Sequence, residues 1–107
     1  MGLREKIWND VAMKIINAGF DALDNPQWGN TGMIMIQDKN SIQTFGSVKY
    51  NFQYDTMTFS IKINGKNIPS QKGRNDYFDF YLKYEDFNGY NRFIGVLLEQ
   101  LAKIKRT

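Results

Sequence analysis

Apolar positions along the chain change period twice. Over residues 3–18 they recur at three- and four-residue steps: Leu3, Ile7, Val11, Ile15 and Ala18 form one stripe, widened by Trp8, Ala12 and Ile16. That spacing predicts an amphipathic helix, with Arg4, Glu5, Asp10, Lys14 and Asn17 largely outside the stripe. Gly19 offers a stop; the alternative carries the helix through Phe20, Ala22 and Leu23 to Asp24. Asn25-Pro26 then ends it, because proline disfavours helical geometry in the residue before it. Pro26-Gln27-Trp28-Gly29-Asn30-Thr31-Gly32 has the composition of a loop.

Beyond the loop the pattern turns strand-like. Met33-Ile34-Met35-Ile36 is a short continuous apolar run, read as a strand, and Lys39-Asn40-Ser41 as a turn. From Ser47 to Tyr54 the alternation is clean: Val48, Tyr50, Phe52 and Tyr54 on one face, Ser47, Lys49, Asn51 and Gln53 on the other. After a turn near Asp55 it resumes, with Met57, Phe59, Ile61 and Ile63 opposite Thr58, Ser60 and Lys62. Asn64-Gly65 is a hairpin signal, since a type I′ turn needs positive φ at both central residues, and it predicts a return strand through Lys66-Asn67-Ile68. Residues 70–75 read as a polar, basic loop. A last strand over 76–84 sets Phe78, Phe80, Leu82 and Tyr84 against Tyr77, Asp79, Tyr81 and Lys83.

The period then returns to helical, with Tyr90, Phe93, Ile94, Leu97, Leu98, Leu101 and Ile104 on the apolar face and Asp86 or Asn88 as the N-cap. Lys103, Lys105 and Arg106 sit where positive charge complements the helix end. The expected fold class is therefore α+β. It is a two-layer sandwich: an antiparallel sheet of four or five strands, with the N- and C-terminal helices on one face, in a single domain over 1–107. The other face of the sheet is left to water or to a partner.

Composition narrows the chemistry. The 107 residues contain no cysteine and no histidine. Disulfides, thiolate metal sites and cysteine nucleophiles are thereby excluded, and the commonest general base and zinc ligand are missing. Asp76 and Asp79 alternate to opposite faces, and Glu85 and Asp86 fall where capping explains them. The glycines form no dinucleotide or phosphate fingerprint. The expectation is a protein without enzymatic activity, cofactor or metal. No apolar run approaches the roughly 20 residues of a membrane span. The start, Met1-Gly2-Leu3-Arg4-Glu5-Lys6, leads into a charged amphipathic pattern rather than a signal peptide, so the expected location is cytoplasmic, with no membrane partner.

Charge gives the remaining clue. The net value is only +3, yet between Lys39 and Arg74 six basic residues (Lys39, Lys49, Lys62, Lys66, Lys72 and Arg74) face the single acid Asp55. The strand region is positive and the two ends are balanced or acidic. On the polar sheet face Tyr77 and Tyr81 join Lys49 and Lys62, a combination able to anchor a protein partner or to stack on single-stranded nucleic acid bases. The loop with Lys66, Lys72 and Arg74 adds charge for an acidic patch or a phosphate backbone. Trp28 is either an interface anchor or a lid on the core. These eight residues are the candidate partner-binding set.

The string Phe78-Asp79-Phe80-Tyr81-Leu82-Lys83-Tyr84-Glu85-Asp86-Phe87, with the order of elements around it, resembles small immunity proteins of Gram-positive bacteria that neutralise toxins. The likeness is confined to layout and this one aromatic–acidic segment. Size and Lys/Asn/Ile-rich composition are also similar to phage or mobile-element accessory proteins, including inhibitors of host defence nucleases. What the resemblance implies is a small inhibitor or regulator of a larger protein, for instance a nucleic-acid-processing complex. The alternatives are a single-stranded nucleic-acid binder using the same residues and a homodimer joined through the open face.

Overall fold

The computed structural model describes residues 3–26, 31–53, 55–69, 77–82 and 87–105. Its elements run α1 (Leu3–Asn17), β1 (Asp21–Pro26), β2 (Thr31–Gln37), β3 (Thr44–Gln53), β4 (Thr56–Ile63), β5 (Lys66–Ile68), β6 (Phe78–Tyr81) and α2 (Phe87–Lys105). The strands form one antiparallel sheet in which β1 to β4 are successive neighbours. The far edge of β4 is shared: β5 pairs along Ile61–Ile63 and β6 along Thr56–Phe59. A three-residue β5 is too short to cover an eight-residue β4, and β6 returns to fill the rest. The expected α+β sandwich is what forms.

The N-terminal third departs from the expectation. α1 stops at Asn17, and the alternative that carried it to Asp24 is overturned by a Schellman motif. Gly19 has φ +102°, its N–H donates to the Ile16 carbonyl at 3.0 Å, and the Phe20 N–H reaches back to Ile15 at 3.3 Å. Ile15 and Phe20, the apolar pair that accompanies this motif, are both buried. The chain leaves in a direction that lets Asp21–Pro26 pair with β2 as an edge strand, where a loop had been expected to begin at Pro26. Proline is tolerated there because an edge strand has one side without a ladder.

Strand lengths also differ. β2 begins at Thr31 rather than Met33, and β3 at Thr44 rather than Ser47. Between them lies a bulge: Ile36 faces Gly46 and Gln37 faces Thr44, so Phe45 is the extra residue. Gly46 is needed there, since a methyl group on it would lie 2.0 Å from the Lys62 carbonyl oxygen. The Asn64-Gly65 turn forms as expected, with φ of 52° and 79°. α2 begins at Phe87, which puts Asn88 inside the first turn; Asp86 lies outside the described residues.

One apolar core lies between the sheet and the two helices. Ile34, Ile36, Val48, Met57, Phe59, Ile61, Phe78 and Phe80 point from the strands toward Ile7, Val11 and Ile15 of α1 and Phe93, Leu97 and Leu101 of α2. Phe59 stacks on Phe93 with ring centroids 4.3 Å apart, and Phe78 meets the same ring edge-on. On the α1 side, Trp8 lies against Tyr50 at 4.3 Å and donates its indole N–H to Asp24 Oδ1 at 3.1 Å. Tyr90 of α2 donates its hydroxyl to the Asp10 carboxylate of α1, tying the helices together over the core. Among the described residues no helix is long and apolar enough to cross a membrane.

Candidate binding face on the open side of the sheet

With both helices on one face, alternation sends every second strand residue to the other. The registers align these residues into rows across the sheet. One row is Leu23, Met35, Ser47, Lys62 and Asn67; the next is Met33, Lys49 and Ser60; a third is Thr31, Asn51, Thr58 and Asp79. Gln53, Thr56 and Tyr81 make a fourth. Tyr77, one residue before Phe78, extends β6 toward Ser60 on this face.

The face therefore has three zones. Leu23, Met33 and Met35 give an apolar flank along β1 and β2, with Leu23 exposed and the methionines half-buried. Lys49 and Lys62, both exposed, occupy diagonal positions at the centre. Among the described residues neither lysine is paired with a carboxylate; the ion pairs present are the exposed Asp10–Lys14 and Glu99–Lys103 contacts along the helices. Tyr77 and Tyr81 form the far edge at 44% and 49% exposure, held open by the strand that buries Phe78 and Phe80 beneath. Between the tyrosines Asp79 accepts a hydrogen bond from the Thr58 hydroxyl at 2.9 Å. A shallow depression of roughly 290 Å³ opens where Lys49, Asn51, Thr58, Ser60 and Tyr77 meet.

Of the eight candidate residues, Lys49, Lys62, Tyr77 and Tyr81 come together on this face. Lys66 does not: its partner is Ile63, a core residue, so the register puts it on the helix side of the β5 edge, where it is exposed. Lys72, Arg74 and Trp28 lie outside the described residues. Two features were missed by the sequence reading. Met33-Ile34-Met35-Ile36 was read as a continuous apolar run with no face assigned, and in the structure Ile34 and Ile36 face the core while Met33 and Met35 do not. The bulge at Phe45 could not be read from alternation, although Gly46 at the start of a strand was its one signal.

These placements change the electrostatics. In its described part the face carries Lys49 and Lys62 but also Asp79 and Asp21, so the positive excess between Lys39 and Arg74 is not concentrated there. As for chemistry, the Thr58–Asp79 contact is an exposed cross-strand pair. The described residues contain no group of three or more His, Cys, Asp or Glu able to hold a metal ion. Compared with known proteins, the chain matches no family model, no curated protein and no solved structure.

Proposed function

We propose that this chain is a non-enzymatic protein-binding module that docks through the open face of its sheet onto a larger partner, which it inhibits or regulates. One observation carries the reading: a sheet face uncovered by either helix sets an apolar methionine–leucine flank, two exposed lysines and two half-exposed tyrosines side by side. Tyrosine and methionine are enriched at protein interfaces, and an apolar patch ringed by polar groups is the anatomy of such contacts. The chemistry of the face suits a partner that offers both apolar surface and carboxylates. An immunity-type or anti-defence inhibitor, acting in the cytoplasm on a protein of that kind, is the biological role most in keeping with this reading.

The face supports a nucleic-acid ligand less well. A stacking platform needs rings flanked by positive charge, whereas Tyr77 and Tyr81 flank the carboxylate of Asp79. The discriminating experiment captures partners on the immobilised wild-type chain and on Tyr77→Ala/Tyr81→Ala, with and without nuclease. A nuclease-resistant protein that binds the wild type, and binds the double variant roughly 10- to 100-fold more weakly, is the expected result. Equal affinity for the two would refute the placement of the site. Micromolar binding of a mixed-sequence oligonucleotide that falls steeply with salt would instead favour the nucleic-acid reading. A stable dimer in light scattering that the same double variant dissociates would assign the face to a second copy.

A further inference from the structure

Asn-Gly occurs twice in the sequence, at 64–65 and at 88–89, and the fold treats the two pairs differently. Asn64-Gly65 is the whole of the turn between β4 and β5, and both residues are exposed. The ladder closes at Ile63 and Lys66, so the Gly65 amide lies outside it. Among the described residues Asn64 is the one non-glycine with positive φ, and β5 beyond it has only three residues to hold the turn in place. A methyl group on Gly65 would meet nothing within 4 Å, so the space around this residue is open. Asn88-Gly89 instead lies in the first turn of the 19-residue α2, with Gly89 buried.

We propose that Asn64 is a self-modification site, where the chain deamidates without an enzyme and gains a negative charge in the hollow it shares with Lys62. The Gly65 nitrogen, having lost its proton to hydroxide, attacks Cγ of Asn64. An N–Cγ bond forms, the Cγ–Nδ2 bond breaks and ammonia leaves, giving a cyclic imide. Water then opens the ring: at Cγ the product is aspartate, at the main-chain carbonyl it is isoaspartate. No electrons are transferred, and water is the co-reactant. Glycine obstructs the attack least, because it has no Cβ beside its nitrogen. Apart from Asn88, every other asparagine in the sequence is followed by a residue with a side chain. Attack also requires the asparagine ψ to rotate. At Asn64 that disengages a short hairpin at the edge of the sheet; at Asn88 it must break the start of α2.

The product changes its surroundings in two ways. A hollow of roughly 340 Å³ is lined by both Asn64 and Lys62, so the new carboxylate shares a small volume with an ammonium group. Isoaspartate further lengthens the main chain of a two-residue turn by one carbon. The turn then no longer matches the strands it joins, so the Ile63–Lys66 pairing is lost and β5 loosens. The modification needs no partner and holds whether or not the open face docks.

The test incubates the full chain at pH 7 and pH 9, with and without denaturant, and follows residues 64 and 88 by peptide mapping with mass spectrometry. In the folded chain conversion at 64 is expected to be roughly tenfold or more faster than at 88 and to quicken with pH. Isoaspartate, read by enzymatic carboxyl methylation, should accompany aspartate at 64. In denaturant the two rates should converge, because the fold is what separates them. Asn64→Asp supplies the charge without the extra main-chain carbon and tolerates the same backbone geometry, so it should melt close to the wild type. A carboxylate nearby favours the charged amine, so this variant should slow acetylation of Lys62 roughly twofold or more relative to Lys49. Conversion at 64 no faster than at 88 in the folded chain, or a rate indifferent to pH, overturns the proposal. A ratio that persists in denaturant overturns the fold as its cause. Unchanged acetylation of Lys62 in Asn64→Asp overturns the coupling of the new charge to the lysine.

Discussion

Replacing Tyr90 by phenylalanine removes one oxygen atom, and with it a hydrogen bond that links α1 to α2. The tyrosine hydroxyl donates to Asp10, whose carboxylate is 43% exposed and also lies 3.5 Å from Lys14. A hydrogen bond to a charged acceptor contributes about 1.5–3 kcal/mol. Partial exposure lets water compete here, so about 1–2 kcal/mol is the expected loss at pH 7 for Tyr90→Phe. Alkaline conditions sharpen the test. Burial first, then the hydrogen bond to Asp10 and its negative charge, hold the phenol protonated well above the ordinary tyrosine range. In the unfolded chain the same group ionises near pH ~10. A raised native pKa means the contribution is complete below that pH and is lost as pH rises beyond it, by up to about 1.4 kcal/mol per pH unit. Phenylalanine has no such dependence, so the gap between wild type and Tyr90→Phe should close between pH ~10 and ~11.5.

Urea unfolding followed by circular dichroism at pH 7, 9, 10 and 11 measures the gap directly. Every other titrating group is common to both chains and cancels in the difference. Adding Asp10→Ala and the double variant completes a cycle whose coupling energy isolates the pair. A coupling energy near zero at pH 7, or a gap that stays constant to pH 11, would refute the reasoning.

Two glycines should respond in opposite directions. Gly46→Ala must push the β3 and β4 backbones apart at the bulge and is expected to cost about 3 kcal/mol, seen as a lower midpoint in urea. Gly95→Ala adds a methyl group in open space on exposed α2, and should raise stability by about 0.5–1 kcal/mol. Tyr77→Ala/Tyr81→Ala should leave the melting temperature within a few degrees of the wild type while weakening partner binding, because both rings lie outside the core.

Legibility followed the strength of the alternation. β3 and β4 were readable because each contributes one continuous apolar file, and their polar files gave Lys49, Lys62 and the neighbouring Asn51, Thr58 and Ser60 correctly. β6 was readable for the same reason, and Tyr77 and Tyr81 followed from Phe78 and Phe80. β1 was not. Asp21-Ala22-Leu23-Asp24-Asn25-Pro26 has no apolar file, since an edge strand is held by backbone pairing to β2 and by the Trp8–Asp24 hydrogen bond rather than by burial. β2 was readable as a strand but not in its faces: a continuous apolar run does not alternate, and methionine is flexible enough to sit half-buried on an open face. Lys66 was grouped with the other cations by sequence proximity, and only the register could separate it.

The arrangement separates what holds the chain together from what it offers to others. Among the described residues the eighteen buried apolar ones belong to one cluster that the helices cover, and the one buried polar residue, Ser47, lies in the row of Lys62 on the opposite side. A strand that alternates strictly cannot contribute the same side chain to both faces, so changes at Lys49, Lys62, Tyr77 or Tyr81 leave core volume untouched. The coupling that remains runs through the backbone, and it is concentrated at the bulge. There Phe45 meets the core through Phe20 at 5.5 Å, its carbonyl receives the Asn64 N–H at 2.9 Å, and Gly46 fixes how closely β4 approaches. A disturbance at that end of the sheet would alter stability and the surface beside Lys62 together. One at the Tyr81 end would alter binding alone. Paired measurements of unfolding and affinity across both ends would therefore distinguish a docking face from a surface that is merely uncovered.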